Sequence, residues 1–163
     1  MSRRRSATKI LTLPGDTAQI SLQATLLDQR ETVPRIHGRI LVVDDEPDIV
    51  AILTKYFSDA GFSVDAASHG GDALIAVSQY RPDVVLLDVL MEGLNGVQVL
   101  ERIRALDPAI RVIMISGSGD STLRPRAMAM GAFAYVPKPL SLSDLHRAVS
   151  AALAQPPSSA PAY

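Results

Sequence analysis

Arg39-Ile40-Leu41-Val42-Val43-Asp44-Asp45 and Asp83-Val84-Val85-Leu86-Leu87-Asp88 decide the fold. Each is a short run of β-branched and leucine side chains that ends on acid, as a fully buried parallel strand does. Between them lie a segment with helical apolar period, a shorter strand-like run and a second helix-period segment. A right-handed β-α-β-α-β path brings the carboxyl ends of both strands to one edge of one sheet. Ligands bind at that edge in open α/β sheets. Asp44, Asp45 and Asp88 therefore converge, although close carboxylates repel by about 4 kcal/mol per pair at an effective dielectric near 20. A divalent cation among them offsets that repulsion, and oxygen-only ligands without Cys or His favour Mg²⁺.

The alternation continues outward. Pro47 can open a helix, where its missing N–H costs nothing. Ile49, Val50, Ile52, Leu53, Tyr56 and Phe57 give that helix an apolar stripe, and Gly61 ends it. Residues 62–66 read as the second strand and 71–79 as the second helix, burying Ala73, Leu74 and Val77. A loop through Gly93 and Gly96 then leads to a helix with Val97, Val99, Leu100 and Ile103. Residues 111–115 and 133–136 read as strands four and five. Helices are expected at 121–130 and 143–153, the last with Leu145, Ala148, Val149 and Ala152 inward. Pro125 is tolerated only in a first turn, so the fourth helix should be short or shifted. Strands alternating with helices five times predict an α/β fold, a doubly wound five-stranded parallel sheet with helices on both faces.

A length of 163 residues suits one core with tails. The absence of cysteine excludes disulfides, thiolate metal sites and thiol nucleophiles, and fits a reducing compartment. The net charge of −1 divides into +3 over residues 1–37 and −4 over 38–163, so the globular part is not expected to bind nucleic acid directly. No apolar stretch approaches a membrane span, so no membrane insertion is expected. Ser2-Arg3-Arg4 opens like a twin-arginine signal but lacks the apolar core that export needs, and the expected location is cytoplasmic. Residues 1–37 read as a flexible extension, 38–154 as the domain and 155–163 as a flexible Pro/Ser tail. Pro14-Gly15 between two apolar runs leaves a hairpin as the other reading of the extension. His37, His69 and His146 lack metal-ligand spacing and read as surface residues.

Four elements stand in a family's order and spacing: the pair Asp44-Asp45, Asp88 followed by Met91 and Gly96, Ser116 ending strand four, and Lys138-Pro139 after strand five. On these residues, 39–153 resembles the receiver domain of a two-component response regulator, of the CheY-like single-domain type. The resemblance implies a flavodoxin-like strand order of 2-1-3-4-5. It implies Asp88 as the nucleophile that takes a phosphoryl group from a phosphohistidine. Mg²⁺ would be held by Asp45 directly, by Asp44 mostly through water, by Asp88 and by the Leu90 backbone carbonyl. Lys138 would meet one phosphoryl oxygen as a point charge and the Ser116 hydroxyl another. Pro139 is a candidate cis peptide, and Tyr135 the aromatic whose rotation reports phosphorylation. Leu90 and Ser118 would flank the hydrolytic water, and Leu90 implies slow loss of phosphate.

No enzyme activity is expected beyond self-catalysed transfer to Asp88 and slow autodephosphorylation. The implied partners are a sensor histidine kinase or histidine phosphotransfer protein and a downstream protein. The latter would read the face made by the fourth helix, fifth strand and fifth helix. The segment beyond residue 153 is too short for an output module, so a stand-alone switch is expected. Glu92 and Asn95 depart from the family, which often has Pro and Asp there. Two rivals stay open: a degenerate receiver acting without phosphate, and a Mg²⁺-dependent phosphohydrolase with an aspartyl nucleophile. The second usually carries Asp two residues past the nucleophile, where this chain has Leu90.

Overall fold

Residues 38–117 and 119–156 are described by the structure, a computed structural model. The expected extension at 1–37, Ser118 and residues 157–163 of the tail lie outside the described residues. The elements are β1 (Arg39–Val43), α1 (Pro47–Asp59), β2 (Ser63–Ala67), α2 (Gly70–Tyr80), β3 (Val84–Asp88), α3 (Gly96–Leu106), β4 (Arg111–Ser116), α4 (Leu123–Ala129), β5 (Ala134–Pro137) and α5 (Leu142–Ala154). They build a five-stranded sheet of order β2-β1-β3-β4-β5. Every strand pair is parallel.

The continuous apolarity of β1, β3 and β4 resolves into two interleaved faces, because successive strand side chains point to opposite sides. Leu41, Val43, Val85, Leu87, Val112 and Met114 pack with Ala73 and Val77 of α2, Leu100 and Ile103 of α3 and Ala127 of α4. Ile40, Val42, Val84, Leu86, Ile113 and Ile115 pack with Leu53 and Phe57 of α1 and Leu145, Val149 and Ala152 of α5. The sheet is thus sandwiched, and its central strand β3 is buried at every position. Each such Leu or Ile contributes about 1.5–3 kcal/mol through its burial. Among the described residues, no helix is long and apolar enough to cross a membrane.

Three expectations need correction. Ile52 is 52% exposed rather than part of the α1 stripe. It lies about 100° around the helix from Leu53, outside the arc shared by Ile49, Val50, Tyr56 and Phe57. The bounds of the fourth helix are narrower than 121–130; it is short, as Pro125 implied, with seven residues and Pro125 in the first turn, where no backbone bond is lost. His146 is half-buried rather than simply a surface residue. It stacks on Phe57 with ring centroids 5.9 Å apart and meets Tyr56 and Phe62 edge-on. Following Leu145, it sits on the flank of α5 that faces α1.

Arg81 closes α2 in the left-handed region, with φ +47° and its N–H donating to the Val77 carbonyl. A Cβ is disfavoured there by about 1–2 kcal/mol. Arg81→Gly is expected to raise stability by about 0.5–1 kcal/mol, after the larger unfolded-state entropy of glycine is subtracted. An unchanged or lower urea midpoint would show that the Arg81 side chain contributes more than its backbone strain.

Candidate functional site

Strand pairing places the acids. Val43 of β1 lies opposite Leu87 of β3, so Asp44 and Asp88, one step further on, emerge side by side. Asp45 follows, and one oxygen from each of Asp44, Asp45 and Asp88 lies within 4.8 Å of the others. Asp44 and Asp88 are buried and Asp45 half-buried. On the other side, Ser116 of β4 pairs with Pro137 of β5. Lys138 therefore leaves the sheet beside Ser116, with its N–H donating to the Ser116 carbonyl at 2.8 Å. The Lys138-Pro139 peptide is cis, as expected.

The Lys138 ammonium donates to Asp44 Oδ2 at 3.2 Å and Glu46 Oε1 at 3.1 Å. It lies 3.5 Å from Asp88 Oδ1. That oxygen is buried and has no hydrogen-bond partner among the described residues. Asp44 Oδ1 accepts from the Glu46 N–H at 2.9 Å, which fixes the turn into α1. Asp45 Oδ2 has a longer contact, 3.4 Å, with the Glu92 N–H, linking the loops after β1 and β3. Burial, reinforced by the Asp44 charge, pushes the Asp88 carboxyl up to about 6; Lys138 and the Leu90 N–H oppose this less strongly. For Lys138 burial works downward, but the Glu46 hydrogen bond and the Asp88 and Asp44 charges together raise its pKa. Lys138 is thus a charged ammonium among carboxylates.

An orphaned buried oxygen within a carboxylate trio fits a hard divalent cation, and the lack of nitrogen or sulfur donors disfavours softer metals. The expected ligand position Leu90 lies in the loop after β3, its side chain 56% exposed. Asp44, Asp45, Asp88 and Lys138 are therefore brought together. Ser116 is buried at the neighbouring strand end. Tyr135 is half-buried and leans on the core beneath α4.

Two features support the Asp88 loop. Gly96 opens α3 so close to β3 that a Cβ would lie 2.2 Å from the Asp88 carbonyl oxygen. Asn95 forms a capping box, its Oδ1 accepting from the Gln98 N–H and its own N–H donating to Gln98 Oε1. The family departure at Asn95 thus keeps a helix-starting role. The sequence reading missed Glu46 as a partner of Lys138, although three successive acids before Pro47 were a visible signal.

A doubly wound parallel sheet that gathers acids and a lysine at its carboxyl edge defines an α/β protein with its site at the strand ends. Residues 40–150 match the family model described as the response regulator receiver domain. The chain belongs to that family, whose members are phosphorylation switches of two-component systems. Sporulation initiation phosphotransferase F of Bacillus subtilis (strain 168) is 33% identical over 114 residues, covering 70% of this chain and 92% of that protein. The DNA-binding response regulator MtrA of Mycolicibacterium smegmatis is 37% identical over 115 residues, 71% of this chain, which spans only 50% of MtrA. A CheY-like receiver domain protein from Methanospirillum hungatei JF-1 superposes with TM-score 0.70 at 26% identity, covering 72% of this chain and 94% of the other. The CheX-CheY-BeF3-Mg²⁺ complex from Borrelia burgdorferi matches with TM-score 0.69 at 31% identity, covering 72% of this chain and 90% of the other.

Proposed function

We propose that Asp88 accepts a phosphoryl group from the phosphohistidine of a sensor kinase or phosphotransfer protein, and that a partner protein reads the result. The observation that carries this reading is Asp88 Oδ1, a buried carboxylate oxygen with no hydrogen bond, 3.5 Å from an ammonium. A desolvated oxygen that accepts no hydrogen bond keeps its electron pair available for attack on phosphorus. The new O–P bond forms as the N–P bond breaks, and the imidazole leaves with the electron pair of that bond. Asp44, Asp45, Asp88 and the Leu90 carbonyl would hold Mg²⁺, which neutralises phosphoryl oxygens and aligns donor with acceptor. A relative crystallised with BeF3 and Mg²⁺ supports that choice of ion.

Lys138 turns to one phosphoryl oxygen and Ser116 donates its hydroxyl to another. Tyr135 follows the β4 loop inward, altering the face made by α4, β5 and α5 that the partner reads. Similarity across 92% of a protein named a phosphotransferase supports action through other proteins. The chain turns over no second substrate. Hydrolysis of the acyl phosphate is slow because Leu90 offers incoming water no hydrogen bond. The test is incubation with acetyl phosphate and Mg²⁺, followed by mapping of the modified peptide. Incorporation at Asp88 is expected; a folded protein that takes up nothing is a degenerate receiver.

The two remaining acids differ. Asp44 is buried and already engaged by Glu46 N–H and Lys138, whereas Asp45 has, among the described residues, only its long Glu92 contact. Asp45 thus has more lone pairs to offer a metal directly. Asp44→Ala is expected to weaken Mg²⁺ binding by about tenfold, the lower end of outer-sphere losses, and Asp45→Ala, which removes a direct ligand, by about 100-fold or more. Equal losses by calorimetric titration would contradict this division.

A further inference from the structure

We propose that Glu46 holds the Lys138 ammonium away from Asp88 in the resting molecule and releases it on phosphorylation, so that Glu46 governs how readily the site takes phosphate. The inference rests on the reading of Asp88 as acceptor. Lys138 commits two of its three N–H donors elsewhere, to Glu46 at 3.1 Å and Asp44 at 3.2 Å. Asp88 Oδ1 stays within ion-pair distance at 3.5 Å but accepts no hydrogen bond from the ammonium.

Glu46 is placed for this role by its backbone. It is the N-cap residue of α1, with φ −86° and ψ 107°, yet its side chain makes no capping hydrogen bond. The carboxylate that would ordinarily serve the helix reaches Lys138 instead. The two carboxylates holding the ammonium differ in what its departure leaves behind. Asp44 is 2% exposed and would remain a buried charge, whereas the Glu46 side chain is 62% exposed and returns to water. Glu46 is therefore the partner that Lys138 gives up when phosphoryl oxygens arrive, and Asp44 the one it keeps. Glu46 is a positioning residue that acts through the lysine.

Glu46→Ala removes the competing acceptor without removing a cap. At subsaturating acetyl phosphate and fixed Mg²⁺ it is expected to label about threefold to fivefold faster than wild type, the upper part of what one exposed ion pair is worth. Glu46→Gln, which keeps the length, is expected to change in the same direction. In a Lys138→Met background neither substitution should alter the residual rate. Equal acceleration with and without the lysine would mean that Glu46 acts only by repelling the anionic donor, and would overturn the proposal. So would unchanged rates in both single variants. A crystal structure of metal-free Glu46→Ala gives a reading independent of phosphorylation. Lys138 Nζ is expected about 2.8 Å from Asp88 Oδ1; an ammonium still resting on Asp44, with Asp88 Oδ1 unsatisfied, would overturn the assignment. Wild-type protein that takes no phosphate overturns the Asp88 reading, and the crystal structure then decides the role of Glu46 alone.

Discussion

Asp88→Asn is expected to abolish labelling by acetyl phosphate and, in metal-free protein, to raise stability at pH 7 but not at pH 4. The first effect follows from the proposed role of Asp88, since its carboxylate oxygen pair is replaced by an amide of the same shape. The second follows from where the Asp88 proton is held. Burial and the Asp44 charge lift its pKa from the ordinary 3.8 to about 6. Between those values the folded chain binds a proton that the unfolded chain has lost, so stability falls as pH rises through the window. Above pH 6 the penalty is complete, on the order of 2–3 kcal/mol at 1.36 kcal/mol per pH unit. Below 3.8 both states are protonated and it vanishes. Asparagine is neutral throughout and escapes it. Urea unfolding with a chelator present should therefore separate the two proteins by about 2 kcal/mol at pH 7 and bring them together at pH 4. Added Mg²⁺ should then stabilise wild type more than the variant, because it binds the folded carboxylates. Equal midpoints at both pH values would mean that Asp88 is far better solvated than its burial implies.

The parts of this site that were legible in the sequence are those that strand geometry dictates. A strand buried on both faces must be apolar at every position, so β1 and β3 announced themselves, and their acids had to meet at one edge. Pro125 announced a short fourth helix because proline leaves few positions for itself. Side-chain direction at a helix start has no such signature. Asp44, Asp45 and Glu46 look alike in the sequence, yet one is buried, one half-buried and one swung onto a lysine 92 residues away. His146 was misread for a related reason: a polar ring beside a core position is placed by its neighbours, here three aromatic residues. Arg81 gave no sign of its left-handed backbone, because only glycine or asparagine would have signalled it. Asn95 with Gln98 did spell a capping box, but its place in the family motif drew attention away from the helix it starts.

Gly96→Ala is expected to be among the most damaging single-methyl additions this chain can receive. The added Cβ would lie 2.2 Å from the Asp88 carbonyl oxygen and 2.8 Å from Val89 Cα, both backbone atoms that no rotamer change can move aside. The Gly96 N–H donates to the Val89 carbonyl at 2.9 Å, so α3 cannot retreat without losing that bond. Val97, Val99, Leu100 and Ile103 would be carried outward with it, all of them buried. The loss is expected to be about 3 kcal/mol or more, from overpacking and a broken buried hydrogen bond. The helix propensity of alanine returns at most about 1 kcal/mol. Gly71→Ala is the matched control, since a Cβ there meets nothing within 4 Å. It should be neutral or stabilising by up to about 1 kcal/mol. The site should suffer with the fold, because the strained oxygen belongs to Asp88 itself. A displacement of about 1 Å at a reacting group can lower a rate about 100-fold. Phosphorylation in the surviving folded fraction is therefore expected to drop at least tenfold below that of Gly71→Ala. Wild-type stability and labelling in Gly96→Ala would show that α3 does not keep its close approach to β3 in solution.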